Sequence, residues 1–248
     1  MIAATSWTAN EIVFTVPQSQ GHTTITVQSA EVGNSVAASF VFAPAVVNAT
    51  SPAQLSLAGG VLTLHGQGFG WAATTSVANR PHVTLEAAGL PYLAHSNFWA
   101  SVKAPAGCGV ACPASVSVSG VLANFSLSFA APTIVNVTGC TANGKTTTKC
   151  PVVGGTPLIL NGIFGPSFCN CCNVKRCTIT VGSAVCANPV MTVPGKRIQC
   201  TLPAGFGANL AVTLTQTIVD ALGRDQTATL APAVSYSTPQ VTPRTLKR

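Results

Sequence analysis

The sequence predicts an all-β chain of tandem antiparallel sandwiches stapled by disulfides, and three observations predict it. Short segments such as "TITV" (24–27), "SVSVS" (115–119), "FSLSF" (125–129) and "VTLT" (212–215) alternate apolar and polar residues, as half-buried strands do. Turn residues punctuate the chain about every 8–12 residues, with no helical period between them, which is the pattern of a sandwich. Ten cysteines, an even number, point to disulfides and an oxidising compartment.

Taken in order, the elements repeat. "EIVFTVPQSQGHTTITV" (11–27) reads as a short strand ending at Pro17, a polar turn and a period-two strand, and "ASFVF" (38–42) as a final strand. After Pro44 a new unit opens with "PAVVNAT" (44–50). "GGVLTLHGQGFG" (59–70) follows as a Gly-Gly turn, an alternating strand and a Gly-rich loop with a Phe. "NFWASVKAPAGCGVACPASVSV" (97–118) repeats the strand–proline–turn–strand block at Pro105, and "NFSLSF" (124–129) the final strand. After Pro132 the cycle recurs as "PTIVNVT" (132–138), "GGTPLILNGIFG" (154–165), "RIQCTLPAGFGANLAVTL" (197–214) with Pro203, and "APAVSY" (231–236). The opening phrases start 88 residues apart, and a self-similar period near that length indicates an array of domains. The expected boundaries are half a unit at 1–43, whole units at 44–131 and 132–238, and a first strand of a further unit or a linker at 239–248.

Charged residues make up 7% of the chain against the usual ~25%, and the surface needs another source of solvation. The net charge of +7 reflects a shortage of acids. The bases are scattered, with pairs at Lys175-Arg176, Lys196-Arg197 and Lys247-Arg248, so a nucleic-acid partner is not expected. No run of about 18 apolar residues is present, and no membrane insertion of this segment is expected. "MIAATSWTAN" has neither the basic nor the apolar region of a signal peptide. For a chain rich in cysteines and sequons, that suggests a fragment of something longer.

Chemistry-bearing residues are sparse. His22, His65, His82 and His95 have no metal-ligand spacing, and Glu11, Glu31, Glu86, Asp220 and Asp225 lie apart except for the last two, which flank a turn. Neither a catalytic site, nor a metal site, nor a cofactor is expected. Cys108 and Cys112 sit in one tight turn and are expected to pair. Cys140 and Cys150 bracket the polar loop "TANGKTTTK" and are likewise expected to pair. In "CNCCNVKRC", Cys169, Cys171, Cys172 and Cys177 allow three pairings, and two disulfides among them fit the spacing better than a thiolate metal site. Three sequons, at Asn48, Asn124 and Asn136, predict N-linked glycans, and the first and last recur in register. A partner-contact surface, if present, is expected in the irregular middle of the first whole unit, at Trp71, Tyr92 and Trp99.

The register P-x-[VI]-x-x-[VI]-x-P-x-x-G-G-x-x-[LI]-x-[LI]-x-G-x-x-F resembles that of IPT/TIG domains, the immunoglobulin-like modules of plexins. The resemblance is fullest over 132–238, where "PTIVNVTGC", "GGTPLILNGIFG", "CTITVGSAVC", "RIQCTLPAGFGANLAVTL" and "VSYSTPQV" follow in the family's order. The copy at 44–131 lacks the cysteine pair in its middle. The resemblance implies tandem immunoglobulin-like sandwiches and a Cys186–Cys200 disulfide, which would close a loop of roughly 15 residues, worth about 3 kcal/mol. Two functions are open at this point. One is a structural block of a secreted, glycosylated fibre or surface appendage whose partners are copies of itself. The other is a ligand-binding or adhesive fragment of a plexin-like receptor ectodomain.

Overall fold

The computed structural model describes residues 4–8, 10–15, 21–29, 33–34, 37–70, 80–219 and 225–238, and every regular element among them is a β-strand. The chain is all-β, immunoglobulin-like and disulfide-stapled. Among the described residues no helix is long and apolar enough to cross a membrane.

The first segment forms three two-stranded pieces. β1 (Ala4–Trp7) pairs with β2 (Ile12–Phe14), β3 (His22–Ile25) with β6 (Ala38–Val41), and β4 (Gln28–Ser29) with β5 (Gly33–Asn34). All of β1 and the first three residues of β3 are exposed.

The next strands are β7 (Val46–Ser51), β8 (Gly60–Gln67), β9 (His82–Leu85), β10 (Ala88–Gly89), β11 (Tyr92–Ser96), β12 (Trp99–Ala104), β13 (Cys112–Val118) and β14 (Val121–Leu127). They make two four-stranded sheets, β7-β8-β12-β11 and β10-β9-β13-β14. Alternation decides which side is buried. Leu62 and Leu64 of β8, Ala100 and Val102 of β12, Val83 of β9 and Val116 of β13 are wholly buried between the sheets.

The last strands are β15 (Thr133–Thr138), β16 (Thr141–Asn143), β17 (Thr146–Cys150), β18 (Pro157–Ile163), β19 (Val174–Val181), β20 (Ala184–Val185), β21 (Ala187–Val193), β22 (Arg197–Thr201), β23 (Leu210–Ile218) and β24 (Gln226–Tyr236). One sheet runs β15-β18-β22-β21, the same order as β7-β8-β12-β11. The other runs β20-β19-β23-β24-β17-β16, which extends the β10-β9-β13-β14 order by the β16–β17 hairpin, with β17 parallel to β24. Val137, Leu158, Leu160, Ile179, Ile198 and Val212 fill this second core.

The recurring phrases mark recurring contacts. Gly59 and Gly154 turn at positive φ (77° and 71°), and their backbones lie directly on the loops of Pro105 and Pro203. A Cβ at Gly59 would lie 2.5 Å from the Ala104 carbonyl oxygen, and one at Gly154 2.5 Å from the Ala204 nitrogen. Beside them Gly107 N–H donates to Leu57 O (3.1 Å) and Gly205 N–H to Val152 O (2.9 Å). The ring of Phe129 covers Gly107 as the ring of Tyr236 covers Gly205. The motif phenylalanines, Phe69 and Phe164, are both buried. Tyr236 differs from Phe129 by a hydroxyl, which donates to Pro203 O at 2.8 Å, and burial pushes its pKa above the usual 10.0.

Candidate interaction surface

The two sandwiches are joined by a covalent seam. The loop from Pro105 to Ala111 carries Cys108, and the loop between β18 and β19 carries Cys169, Cys171 and Cys172. Vicinal Cys171 and Cys172 diverge to Cys108 and Cys112, with Cα–Cα distances of 5.1 and 5.4 Å. This corrects two expectations. Cys108 does not pair with Cys112, and the CNCCNVKRC cluster holds one internal bond, Cys169–Cys177. Gly109 and Ala111 both take positive φ, and Gly109 forms an isolated parallel bridge to Cys172, so the turn lies against the neighbouring unit instead of folding on itself. Cys171 opens a tight turn, with Val174 N–H donating to Cys171 O at 3.2 Å and Asn173 at positive φ, and from this turn the two cysteines reach separate partners. The remaining bonds are Cys140–Cys150 across the β16–β17 hairpin and Cys186–Cys200 between β22 and the residue that precedes β21.

Polar contacts reinforce the seam. Asn173 Nδ2 donates to Val110 O (3.0 Å) and Ala111 O (2.8 Å), and the buried Gln226 Nε2 donates to Phe129 O at 2.9 Å. Neither residue is marked by any repeat or motif, so nothing in the sequence signals them. Thr147, wholly buried, accepts from Cys140 N at 2.9 Å and holds the hairpin that carries Cys140–Cys150.

Beside the seam lies an open cleft of about 750 Å³, with Leu57 and Ala106 of one sandwich facing Val135, Ile163 and Pro166 of the other. Lys196 and Arg197 also line it. Along that wall Arg197 Nε donates to Asn161 Oδ1 (3.1 Å), and Asn161 Nδ2 donates to Asn136 Oδ1 (2.7 Å). The cleft offers apolar surface and hydrogen-bond donors, with no carboxylate or imidazole among its lining residues. Among the described residues no three of His, Cys, Asp and Glu converge as a metal would require.

Of the aromatic residues expected to form a contact surface, Trp71, Tyr92 and Trp99, the last two lie on opposite faces of their sheet. Trp71 lies outside the described residues. Tyr92 pairs with Val102 across β11 and β12, and Val102 is buried. Trp99, three residues away on β12, therefore projects from the opposite face. Tyr92 is committed internally: its Oη shares a proton with His95 Nδ1 at 2.7 Å, and the Arg80 guanidinium stands 5.2 Å over its ring. Trp99 stands opposite His65 on the outer face, next to the Thr63–Ser101 hydroxyl pair (2.8 Å).

The sequons are all on strands. Asn48 is exposed on β7, Asn124 is exposed on β14, and Asn136 is half-buried on β15.

No known family's sequence profile matches the chain, and no curated protein matches it. Solved structures do. The plexin A4 extracellular region, domains 1 to 8, is 16% identical with a TM-score of 0.29, over 74% of this chain and 18% of that one. The surface glycan-binding protein PbSGBP-B from Prevotella bryantii is 12% identical with a TM-score of 0.43, over 78% of this chain and 43% of that one. A titin fragment, A168169, is 7% identical with a TM-score of 0.30, over 78% of this chain and all of that one. The chain thus spans under half of the first two structures. Identities this low and TM-scores below 0.5 transfer no function. Five disulfides are the covalent mark of an oxidising, extracellular setting.

Proposed function

We propose that the chain is a structural building block of an extracellular, glycosylated fibre or surface appendage, assembling by head-to-tail, strand-adding contacts between copies. The observation that carries this reading is the double covalent seam. Interfaces between domains of one chain ordinarily leave them free to move. Here two disulfides from adjacent cysteines, with Asn173 and Gln226 alongside, tie successive sandwiches into one stiff piece. A fibre under tension needs that stiffness. The sparse charge supports the same reading, because a surface with so few charges favours association.

The two-stranded pieces at the start of the chain suit the contact. Among the described residues β1–β2 and β3–β6 are two-stranded, with exposed faces and no further strand paired to their edges. Strands added from a neighbouring copy would complete them, and head-to-tail contacts that do not close build filaments. No catalytic role and no cofactor are part of this proposal.

Size-exclusion chromatography with light scattering on the non-reduced, full chain tests it. A large, polydisperse particle is the expected result. A discrete monomer near 25.1 kDa plus sugar would overturn the assembly and favour a receptor or adhesin fragment.

A further inference from the structure

Each sheet ends in two strands with an unpaired row of backbone N–H and C=O groups, a template for pairing with another molecule. Among the described residues the two sandwiches have four sheets and therefore eight such edges: β7, β11, β10, β14, β15, β21, β16 and β20. Four of them are long enough to pair well, β7 and β15 with 6 residues and β14 and β21 with 7. The other four have between 2 and 5 residues.

Natural edges are usually guarded by charge, proline or bulges. None of the four long edges contains a single Lys, Arg, Asp or Glu. Each carries an exposed apolar side chain instead: Val46, Leu122, Val135 and Val190. β21 is guarded by Pro189 and by two breaks in its register, between Ala187 and Val190 and between Met191 and Val193, whereas β7 and β15 have one break each (Val47 to Ala49, Ile134 to Asn136) and no proline, and β14 has neither. The other three are the strands that hold the chain's three sequons, Asn48 on β7, Asn124 on β14 and Asn136 on β15. On β15 part of the edge is already engaged, since Val137 N–H donates to Lys145 O at 2.9 Å.

We propose that N-linked glycans at Asn48, Asn124 and Asn136 are the edge guards of this protein, taking the place of charge and blocking lateral sheet-to-sheet pairing between molecules. The modification adds no demand the side chains cannot meet. Asn48 and Asn124 are exposed. Asn136 uses its Oδ1 to accept from Asn161 at 2.7 Å, and its Nδ2 is the atom that takes the sugar. In that step Nδ2 attacks C1 of an oligosaccharide carried on a lipid diphosphate. The N–C bond forms as the C–O bond to diphosphate breaks, and the amide proton is lost. A bulky, hydrated chain rooted on an edge strand prevents a second strand from lying against it.

The guard acts on width, whereas the fibre reading concerns length, so the two fail separately. The test uses the full chain secreted as a glycoprotein from eukaryotic cells. Peptide mass spectrometry measures occupancy at the three asparagines, and an endoglycosidase then trims the sugars from the folded protein. Occupied sites are expected, with lateral association after trimming that raises the scattering mass at equal concentration by at least about tenfold. Negative-stain images should show particles that widen. Val46→Lys, Leu122→Lys and Val135→Lys together should return the trimmed protein to its starting width by restoring charge to the same edges. If the triple variant is not secreted, Leu122→Lys alone, on the longest of the three edges that carry a sequon, should lower the trimmed mass at least about twofold. Unoccupied sites, no change on trimming, or association that lysine does not reverse would each overturn the proposal. If the glycosylated chain is a monomer, the fibre reading falls, and the trimming step still decides this one.

Discussion

Removing the seam disulfides should cost far more together than apart. Cys108–Cys171 and Cys112–Cys172 close loops with sequence separations of 63 and 60. In the chain-entropy account either bond alone restricts the unfolded chain by about 4 kcal/mol. Once one is closed, the other adds little. Cys112 and Cys172 are then already tethered through a ring of about five residues, and closing it is worth about 2 kcal/mol. The pair Cys108→Ala with Cys171→Ala should therefore lose about 2 kcal/mol, as should Cys112→Ala with Cys172→Ala. The fourfold variant should lose about 6 kcal/mol. Guanidinium denaturation followed by tryptophan fluorescence, at fixed protein concentration, measures all three. Peptide mapping after partial reduction checks the pairing first. Single-pair losses near 4 kcal/mol that simply add would refute the shared-ring reasoning, because each bond would then be acting on its own loop. A fourfold loss below about 2 kcal/mol would refute the seam itself as a constraint on the chain.

Three further outcomes are expected. Gly154→Ala forces an L-residue to positive φ and sets a methyl 2.5 Å from Ala204 N, and it should lose about 2–4 kcal/mol in the same denaturation assay. Leu160→Ala, at a fully buried position of the second core, should lose about 3 kcal/mol, whereas the exposed Val153→Ala should change stability by less than about 0.5 kcal/mol. Tyr236 has a pKa raised by burial in the folded state, so the folded protein holds its proton more tightly than the unfolded chain. Its contribution is full below pH 10.0 and is lost as pH rises through the raised value, and Tyr236→Phe should flatten that alkaline fall in the melting temperature measured from pH 9 to pH 11.

The two units solve the same packing problem with the same parts. In both, a Gly-Gly turn rests on a Pro-Ala-Gly loop, and an aromatic ring at the end of the unit, Phe129 just after β14 and Tyr236 closing β24, covers the loop glycine. The contacts are backbone to backbone and depend little on side-chain identity. That explains why glycine and proline recur in register while the strands between them vary. What differs between the units is stapling. The 132–238 unit holds Cys140–Cys150, Cys169–Cys177 and Cys186–Cys200 internally, while the 44–131 unit contributes both of its cysteines to the seam.

The features legible in the sequence are those that strand geometry encodes locally. Period-two alternation gave away β8, β12, β13 and β23, because a strand's two faces see different surroundings. Gly59 and Gly154 announced turns, since only glycine adopts positive φ without cost at so tight a contact. The pairing of Cys108 with Cys171, and the separation of Tyr92 from Trp99, were decided by tertiary structure. A disulfide needs Cα atoms within about 7 Å, and that distance depends on where two loops from different sandwiches meet, not on four residues of sequence. A face depends on register, and the irregularity between Tyr92 and Ala94 shifts it within one strand. The sequons were visible as residues. That all three stand on sheet edges free of charged residues became visible only when the strand order was known, because an edge is a property of the sheet and not of the strand.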